Sequence, residues 1–575
     1  MMSPVTLNLS HLLPPTSLSS LARDWLAEDA VNFDPAGVCV GDREQTLALL
    51  CKTPGGVLAG VPFFDAVFNE LGCAVDWFYP EGTQLGPEPV TRTALVRGPA
   101  RNLLLGERPA LNCLARASGI ATRCRLLLAT VKKAGWAGGV AGTRKTTPGF
   151  RLVEKYSMLV GGVATHRHDL SGMVMLKDNH VWASGSIMQG VHAAAASLKR
   201  EFPSVLIEVS GGLTEDNLPL FLSPSVDIVS LGCITQGCPV IDFSLKIQRS
   251  HSNGTSATSP AHSDLARDWL AEDAVNFDPA GVCVGDREQT LALLCKTPGG
   301  VLAGVPFFDA VFNELGCAVD WFYPEGTQLG PEPVTRTALV RGPARNLLLG
   351  ERPALNCLAR ASGIATRCRL LLATVKKAGW AGGVAGTRKT TPGFRLVEKY
   401  SMLVGGVATH RHDLSGMVML KDNHVWASGS IMQAVSDTRR VCGFSSKIEV
   451  ECRSEEEGRE AARAGAEIIM LDNFTAQGVH AAAASLKREF PSVLIEVSGG
   501  LTEDNLPLFL SPSVDIVSLG CITQGCPVID FSLKIQRSHS NGTSATSPAH
   551  SEYSAGSSNP APSLDTPTSR RDFAF

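Results

Sequence analysis

The chain is written almost twice. Leu21–Gln189 recurs without a change as Leu265–Gln433, 244 positions further on, and Gly190–Ser263 recurs as Gly478–Ser551, 288 positions further on. The 44 residues Ala434–Gln477 occur only in the second copy, and the second copy has no equivalent of residues 1–20. Whatever fold one copy specifies, the other must attempt with the same residues, so any difference between them originates in those two segments. Substitutions accumulate quickly on tolerant surfaces. Identity of this extent therefore points to a very recent tandem duplication, or to two versions of one gene joined together, with the missing segment resembling a skipped in-frame exon.

Composition narrows the class. The 575 residues carry 52 Lys+Arg against 55 Asp+Glu, a formal charge of −3, and 44% are apolar. That balance fits globular cores and argues against nucleic acid as a partner. No stretch of 18 consecutive apolar residues suggests a membrane span. The start, MMSPVTLNLSHLLPPTSLSS, lacks the basic region of a secretory signal. Fourteen of the 16 cysteines are seven counted twice, only Cys442 and Cys452 being unique, and no CxxC pair occurs. A cytoplasmic protein with reduced thiols is expected.

The second copy holds the full pattern. Its first hundred residues mix a helical stretch (LARDWLAEDA) with short apolar runs (VLAGV, CAVDWFY, ALVRGPA) between Gly and Pro, an α+β rhythm. The helix LNCLARASGIATRCRLLLATVKKAG opens an alternation of helix and buried strand: GGVAGT, MLVGGV, GMVMLKDN, SKIEVEC, AEIIMLDN, VLIEVSGG and VDIVSLG. Strands that each end in a polar or glycine-rich turn predict a (β/α) barrel with its site at their carboxyl ends. Residues 248–264 read as a flexible linker and 539–575 as a disordered Ser/Pro-rich tail.

Cations gather at those strand ends: Arg388 and Lys389 in AGTRKTTPGF, His410 and Arg411 in VATHRHDL, Lys421 in MLKDNH, and Arg352 ahead of the long helix. Singly each is expected to be a solvated charge; recurring at consecutive strand ends they predict a site for carboxylates or phosphates. Acids follow. In KIEVEC, period-2 geometry puts Lys447, Glu449 and Glu451 on one face, and Asp472 ends the next strand. Such carboxylates can hold a cationic transition state, coordinate Mg²⁺ or simply pair with the cations. Ser498-Gly499-Gly500, with Thr502 as the expected N-cap of a following helix, and Gly520 one strand later, resemble a phosphate cradle. His410-x-His412 shows no third zinc ligand, and a Schiff-base role for Lys421, as in a barrel aldolase, is a lesser alternative.

Taken together, GTRKTTPGFRLVEKY, HRHDL, MLKDNH, KIEVEC, IIMLDNF and EVSGGLTEDN closely resemble the quinolinate phosphoribosyltransferases. The resemblance spans Leu265–Gln536 and, with one hole, residues 5–248. It implies an α/β fold in which each copy is an open-faced α/β sandwich plus an incomplete, TIM-like α/β barrel. The sandwiches would lie at 1–110 and 265–354 and the barrels at 111–247 and 355–538, the stretch near DFSLKI returning to the sandwich. It implies transfer of phosphoribose from phosphoribosyl pyrophosphate to quinolinate with loss of CO₂, giving nicotinate mononucleotide and pyrophosphate for NAD synthesis. Mg²⁺ would accompany the pyrophosphate substrate, with Glu451 and Asp472 as its protein ligands, and no organic cofactor is implied. Arg388, Lys389, His410, Arg411 and Lys421 would line the quinolinate site, and Glu451 and Asp472 would flank the ribose. Ser498, Gly499, Gly500 and Gly520 would hold phosphate. Lys389, Lys421, Glu451 and Asp472 are the expected catalytic groups.

Family sites form between subunits, so Arg352 would serve a neighbour, in a dimer or hexamer. Within one chain, Arg108 of the first sandwich would then serve the second barrel. The first copy keeps Arg144, Lys145, His166, Arg167, Lys177, Ser210, Gly211, Gly212 and Gly232 but has no counterpart of Glu451 or Asp472. It is expected to lack about two barrel strands and to be catalytically dead, and a wholly inactive tandem pseudoenzyme is the alternative to an active second copy.

Overall fold

A computed structural model describes residues 9–30, 34–170, 206, 208–210, 213–222, 227–239, 243–248, 262–274, 286–442 and 446–535. In the first copy, β1 (Glu44–Cys51), β2 (Ala74–Trp77) and β3 (Thr91–Pro99) lead into a long helix, Ala100–Lys133. The strands β4 (Gly139–Ala141), β5 (Glu208–Ser210), β6 (Ile228–Ser230) and β7 (Phe243–Gln248) follow. The antiparallel sheet has the order β2-β3-β1-β7, so the end of the copy returns to the sheet that began it. The remaining three strands form a small parallel sheet, β4-β6-β5.

The second copy repeats this plan and completes it. Its sandwich strands are β8 (Glu288–Cys295), β9 (Ala318–Trp321) and β10 (Thr335–Pro343). The parallel strands are β11 (Gly383–Ala385), β12 (Val418–Leu420), β13 (Ile448–Cys452), β14 (Ile468–Asp472), β15 (Leu494–Ser498) and β16 (Ile516–Ser518), and β17 (Phe531–Ile535) closes the copy. The sandwich order is β17-β8-β10-β9, and the parallel order is β11-β16-β15-β14-β13-β12. Ala408 adds a single parallel bridge to Ala385 at the β11 edge. The sheet curls without joining β12 to β11, an incomplete barrel.

The sequence explains most of this. Ile468–Leu471 are all buried because helices cover one face of a parallel strand and the barrel interior the other. The helix Glu455–Ala464 carries its own signals: Ser454 accepts a hydrogen bond from the Glu457 amide at 3.2 Å, three glutamates fill the first turn, and Gly465 ends it at φ 96°. This helix, with β13 and β14, lies inside the segment that the first copy lacks.

Several elements differ from the sequence reading. The long helix begins at Ala344, so Arg352 and Pro353 sit within it rather than ahead of it. MLVGGV is the end of the helix Arg395–Gly405 and not a strand; its period is helical, and only Ala408 beyond it bridges. In VLAGV, Val301 makes one isolated bridge to Gln328 before Gly304 starts a helix. EQTLALLC, passed over in sequence, forms the central strands β1 and β8. After Gly500 there is no α-helix to cap: Thr502 and Asn505 exchange hydrogen bonds in a turn that leads to the four-residue 3₁₀ segment Leu506–Phe509.

The two copies dock reciprocally. Glu28, at the end of the helix Pro15–Asp29, accepts hydrogen bonds from the amides of Gly393 and Arg395 at 3.0 Å each, and Asp29 pairs with Arg388 and Arg395. In mirror fashion Glu272 receives the amides of Gly149 and Arg151, and Asp273 pairs with Arg144 and Arg151. Asn112 donates to the Arg388 carbonyl and Asn356 to that of Arg144, both at 3.0 Å. Each sandwich therefore serves the other copy's barrel, the isologous pattern of a two-fold dimer held in one chain. Gly37–Val40 packs on the helices Asp422–Ser428 and Ile431–Cys442, and Ala36, Cys39 and Val40 join the second barrel's core. Ser428 donates to the Cys39 carbonyl at 2.9 Å. Most of the helix Ile431–Cys442 belongs to the segment absent from the first copy. No helix of the described residues is long and apolar enough to cross a membrane.

Candidate active site

An open cleft of about 1650 Å³, its mouth included, lies at the carboxyl ends of the second copy's parallel strands. Arg388, Lys389, His410, Arg411, Lys421, Glu451, Asp472, Ser498, Gly499 and Gly500 line it. The first copy closes it with Asp34, Lys52, Glu107, Arg108 and Asn112. Arg108 thus occupies the place that Arg352 would take between separate subunits. Arg352 faces the first copy's cleft instead, because only the first turns of each long helix meet the opposite barrel while the later turns pack in their own.

The cations are held in different ways. Asp29 fixes Arg388 from the neighbouring copy, and the guanidinium pair Arg388 and Arg395 overcomes burial to hold the Asp29 carboxyl well below its usual range. Arg411 and Arg108, by contrast, have no carboxylate within ion-pair distance among the described residues. Burial, reinforced by Arg388, pushes Arg411 down to about 9, and burial lowers Arg108 as well. More distant carboxylates, Glu107 for Arg108 and Glu449 for Arg411, oppose this only in part, and a ligand anion would complete both guanidiniums. Lys399, missed in sequence, donates to the carbonyls of Thr409 and Arg411 and so ties down the turn that carries His410 and Arg411. Burial and the neighbouring arginines push Lys399 down to about 7.

His410, at φ 56°, turns its Nε2 to 3.3 Å from both Glu449 and Glu496 beneath the cleft. Burial opposes its charge, but the two carboxylates win and raise it to about 9. Glu449 therefore points under the site and Glu451 into it, while Lys447 lies exposed ahead of the strand. Glu496, in VLIEVSGG, was not singled out in sequence; its position one residue pair before Ser498 on the inward face was the available signal. His412 does not join this group, which comprises one imidazole and two carboxylates within 4.8 Å. His424, also passed over, lines the cleft and accepts from the Lys421 amide at 3.1 Å. Burial, then Arg411 and Lys421, lowers it to about 3 and keeps it neutral.

Lys421 pairs with Glu451, which opposes a free-amine nucleophile. Burial and the Glu451 charge raise Asp472, so the two acids face each other across a place that favours a cation. At the phosphate end, Gly499 has φ 95°, and a Cβ there would stand 2.7 Å from the Asn473 amide nitrogen. Only glycine fits that approach. Gly520 does not line the cleft; it leaves room for the Lys389 side chain, whose Cδ would be 3.0 Å from an added Cβ. No α-helix N-terminus follows Gly500, so Lys389 is the cation nearest this end of the cleft's lining.

The first copy's residues part company. Lys145, Ser210 and Gly232 line a smaller cleft of about 930 Å³ with Arg352. Arg144 is engaged by Asp273, and His166 pairs at 3.0 Å with Glu208. The Lys155 ammonium donates to the Arg167 carbonyl. Lys177, Gly211 and Gly212 lie outside the described residues. The fifteen described cysteines are free, and all but Cys233 and Cys521 are buried.

A sandwich capping an incomplete barrel, with a cationic cleft built from both copies, defines a composite site for a polyanionic substrate pair. The N-terminal domain model of quinolinate phosphoribosyl transferase matches residues 33–118 and 275–362. Its C-terminal domain model matches 364–534 in one run but the first copy in two pieces, 120–196 and 188–246, which meet where the 44 residues are missing. The chain belongs to the quinolinate phosphoribosyltransferase family. It is 54% identical over 271 residues to the human nicotinate-nucleotide pyrophosphorylase [carboxylating], covering 47% of this chain and 90% of that protein. Identity to the Dictyostelium discoideum protein of the same name is 47% over 286 residues, 48% of this chain and 95% of the relative. The solved nicotinate-nucleotide pyrophosphorylase from Francisella tularensis is 30% identical, covering 49% of this chain and 100% of its own, with a TM-score of 0.45.

Proposed function

We propose that the second copy's cleft transfers phosphoribose from phosphoribosyl pyrophosphate to quinolinate and decarboxylates the product, giving nicotinate mononucleotide, pyrophosphate and CO₂ for NAD synthesis. The observation that carries this is the cluster of cations in one cleft, Arg108 and Arg411 without an ion-pair partner among the described residues, beside Arg388 and Lys389 and opposite Glu451 and Asp472. A twice-negative pyridine satisfies the former, and a sugar developing positive charge satisfies the latter.

Arg108, Arg411 and His410 bind the carboxylates and orient the ring nitrogen toward C1 of the ribose. The nitrogen pair forms the N–C1 bond as the bond from C1 to pyrophosphate oxygen breaks, and Glu451 and Asp472 stabilise the positive charge that develops at C1. Lys389 and the amides of Gly499 and Gly500 receive phosphate charge. The ring nitrogen, now cationic, stabilises the electron pair left on C2 when CO₂ departs, and that pair then takes a proton. The acid pair Glu451 and Asp472 also suits Mg²⁺, which would neutralise pyrophosphate when bound. Self-association of whole chains as dimers or hexamers and a cytoplasmic location belong to the same proposal. The first copy, without the two acids, contributes Arg108 but no turnover of its own.

The test is product formation by the full chain. Nicotinate mononucleotide, pyrophosphate and CO₂ are expected in equal amounts only when both substrates are present. CO₂ release without phosphoribosyl pyrophosphate, or no product at all, would overturn the proposal.

A further inference from the structure

Beneath the complete cleft lies a polar cluster that the proposed reaction leaves unexplained. His410 Nε2 stands 3.3 Å from Glu449 Oε2 and 3.3 Å from Glu496 Oε2. One ligand atom from each of the three residues lies within 4.8 Å of the other two. Glu449 and Glu496 are fully buried. Neither oxygen of Glu449, nor Glu496 Oε1, nor the Ser518 hydroxyl has a hydrogen-bond partner among the described residues. The two acids repel each other, with Arg411 a lesser opposing charge on Glu449. A proton on the imidazole offsets only one of two buried negative charges. The first copy resolves the same floor differently. It has no counterpart of Glu449, and Glu208, which matches Glu496, meets His166 at 3.0 Å and accepts from Ser230 at 2.6 Å.

We propose that His410, Glu449 and Glu496 form a metal site, distinct from the acid pair Glu451 and Asp472, that takes a zinc-like divalent cation. A tetrahedral ion with bonds of about 2.0–2.1 Å to nitrogen and oxygen sets its ligand atoms about 3.3–3.4 Å apart. That is the spacing His410 keeps to both acids. One imidazole with two carboxylates suits Zn²⁺ rather than Mg²⁺, which prefers oxygen alone. The two charges of the ion balance the two acids, and any proton on Nε2 leaves to solvent as the ion binds. His410 and Ser518 both line the cleft, which gives the ion a way in and leaves its fourth position to water or the Ser518 hydroxyl. With Nε2 on the metal, Nδ1 carries the ring proton, so the ion fixes the tautomer and orientation of His410. That positioning role rests on the proposed reaction; the site itself does not.

The experiment strips the full chain with EDTA, returns it to excess Mg²⁺ so that the acid pair is filled, and dialyses it against Zn²⁺. One tightly held Zn²⁺ per chain is expected, and Co²⁺ in its place should show the visible absorption of a four-coordinate ion. Glu449→Gln and Glu496→Gln should each weaken Zn²⁺ roughly a hundredfold or more, because even groups that only hydrogen-bond to metal ligands cost about 10–100-fold. Glu208→Gln, at the matching place in the first copy, and Glu451→Gln, in the cleft above, should leave it unchanged. Unfolding profiles matching wild type establish that each variant is folded. No tightly held Zn²⁺, Zn²⁺ indifferent to both Glu449→Gln and Glu496→Gln, or its loss in Glu451→Gln instead, would overturn the proposal. None of these readouts requires turnover, so failure here is distinct from failure of the proposed reaction.

Discussion

The second cleft and the first share nearly every residue of sequence but not their chemistry. Both present an arginine from the opposite sandwich, Arg108 in one and Arg352 in the other, and both engage the following arginine, Arg388 or Arg144, through an aspartate of the partner copy. The second alone has β13 and β14, and with them Glu451 and Asp472. Removing two parallel strands does not scale a site down; it removes the two acids that face the cations. Binding groups sit on the strands that remain, and the groups that answer positive charge sit on the strands that are lost.

The largest expected effect tests that division. Glu451→Gln or Asp472→Asn should lower kcat by roughly 10²–10³ with little change in KM, as measured by steady-state CO₂ release. An effect confined to KM would place these acids in binding. Arg108→Ala comes next, with KM for quinolinate rising on the order of tenfold or more. If Arg352→Ala produced that rise instead, the crossed pairing of sandwich and barrel would be wrong.

Asp29→Ala would strand Arg388 and Arg395 and should destabilise the docked unit by about 3–5 kcal/mol, read as a lower denaturation midpoint. The sign with pH follows from the depressed Asp29 carboxyl. Its contribution is complete above the unfolded value of about 3.9 and fades as pH falls toward the lower folded value. Wild type should therefore lose part of its stability in acid that Asp29→Ala has already lost. A wild type and variant differing equally at all pH would contradict the pairing. Smallest is Ser454→Ala, which removes the cap of a helix the first copy does not have and should cost about 1 kcal/mol, seen as a small midpoint shift.

Much of this was legible in the sequence. Charged residues at the ends of apolar strands marked the cleft, since such termini are where a barrel opens. The lone deletion foretold an unequal pair. Other features were not legible because they depend on distant partners. Lys399 and Glu496 acquire their roles only when a turn and a neighbouring strand close over them. The helix Ala344–Lys377 absorbed Pro353 and Arg352 because tertiary packing outweighed the local break that proline suggests. The Ser498–Gly500 turn looked like a helix start, yet Thr502 and Asn505 satisfied each other in a turn and left Ser498–Gly500 lining the cleft.

The central claim is that one chain, by folding its first sandwich onto its second barrel, assembles a complete site. The most direct measurement is phosphoribosyl pyrophosphate-dependent CO₂ release from quinolinate by the full chain across a wide dilution. The account predicts a constant specific activity, because both halves of the site travel together. Specific activity that falls in proportion to dilution, or no dependent release at any concentration, would contradict it.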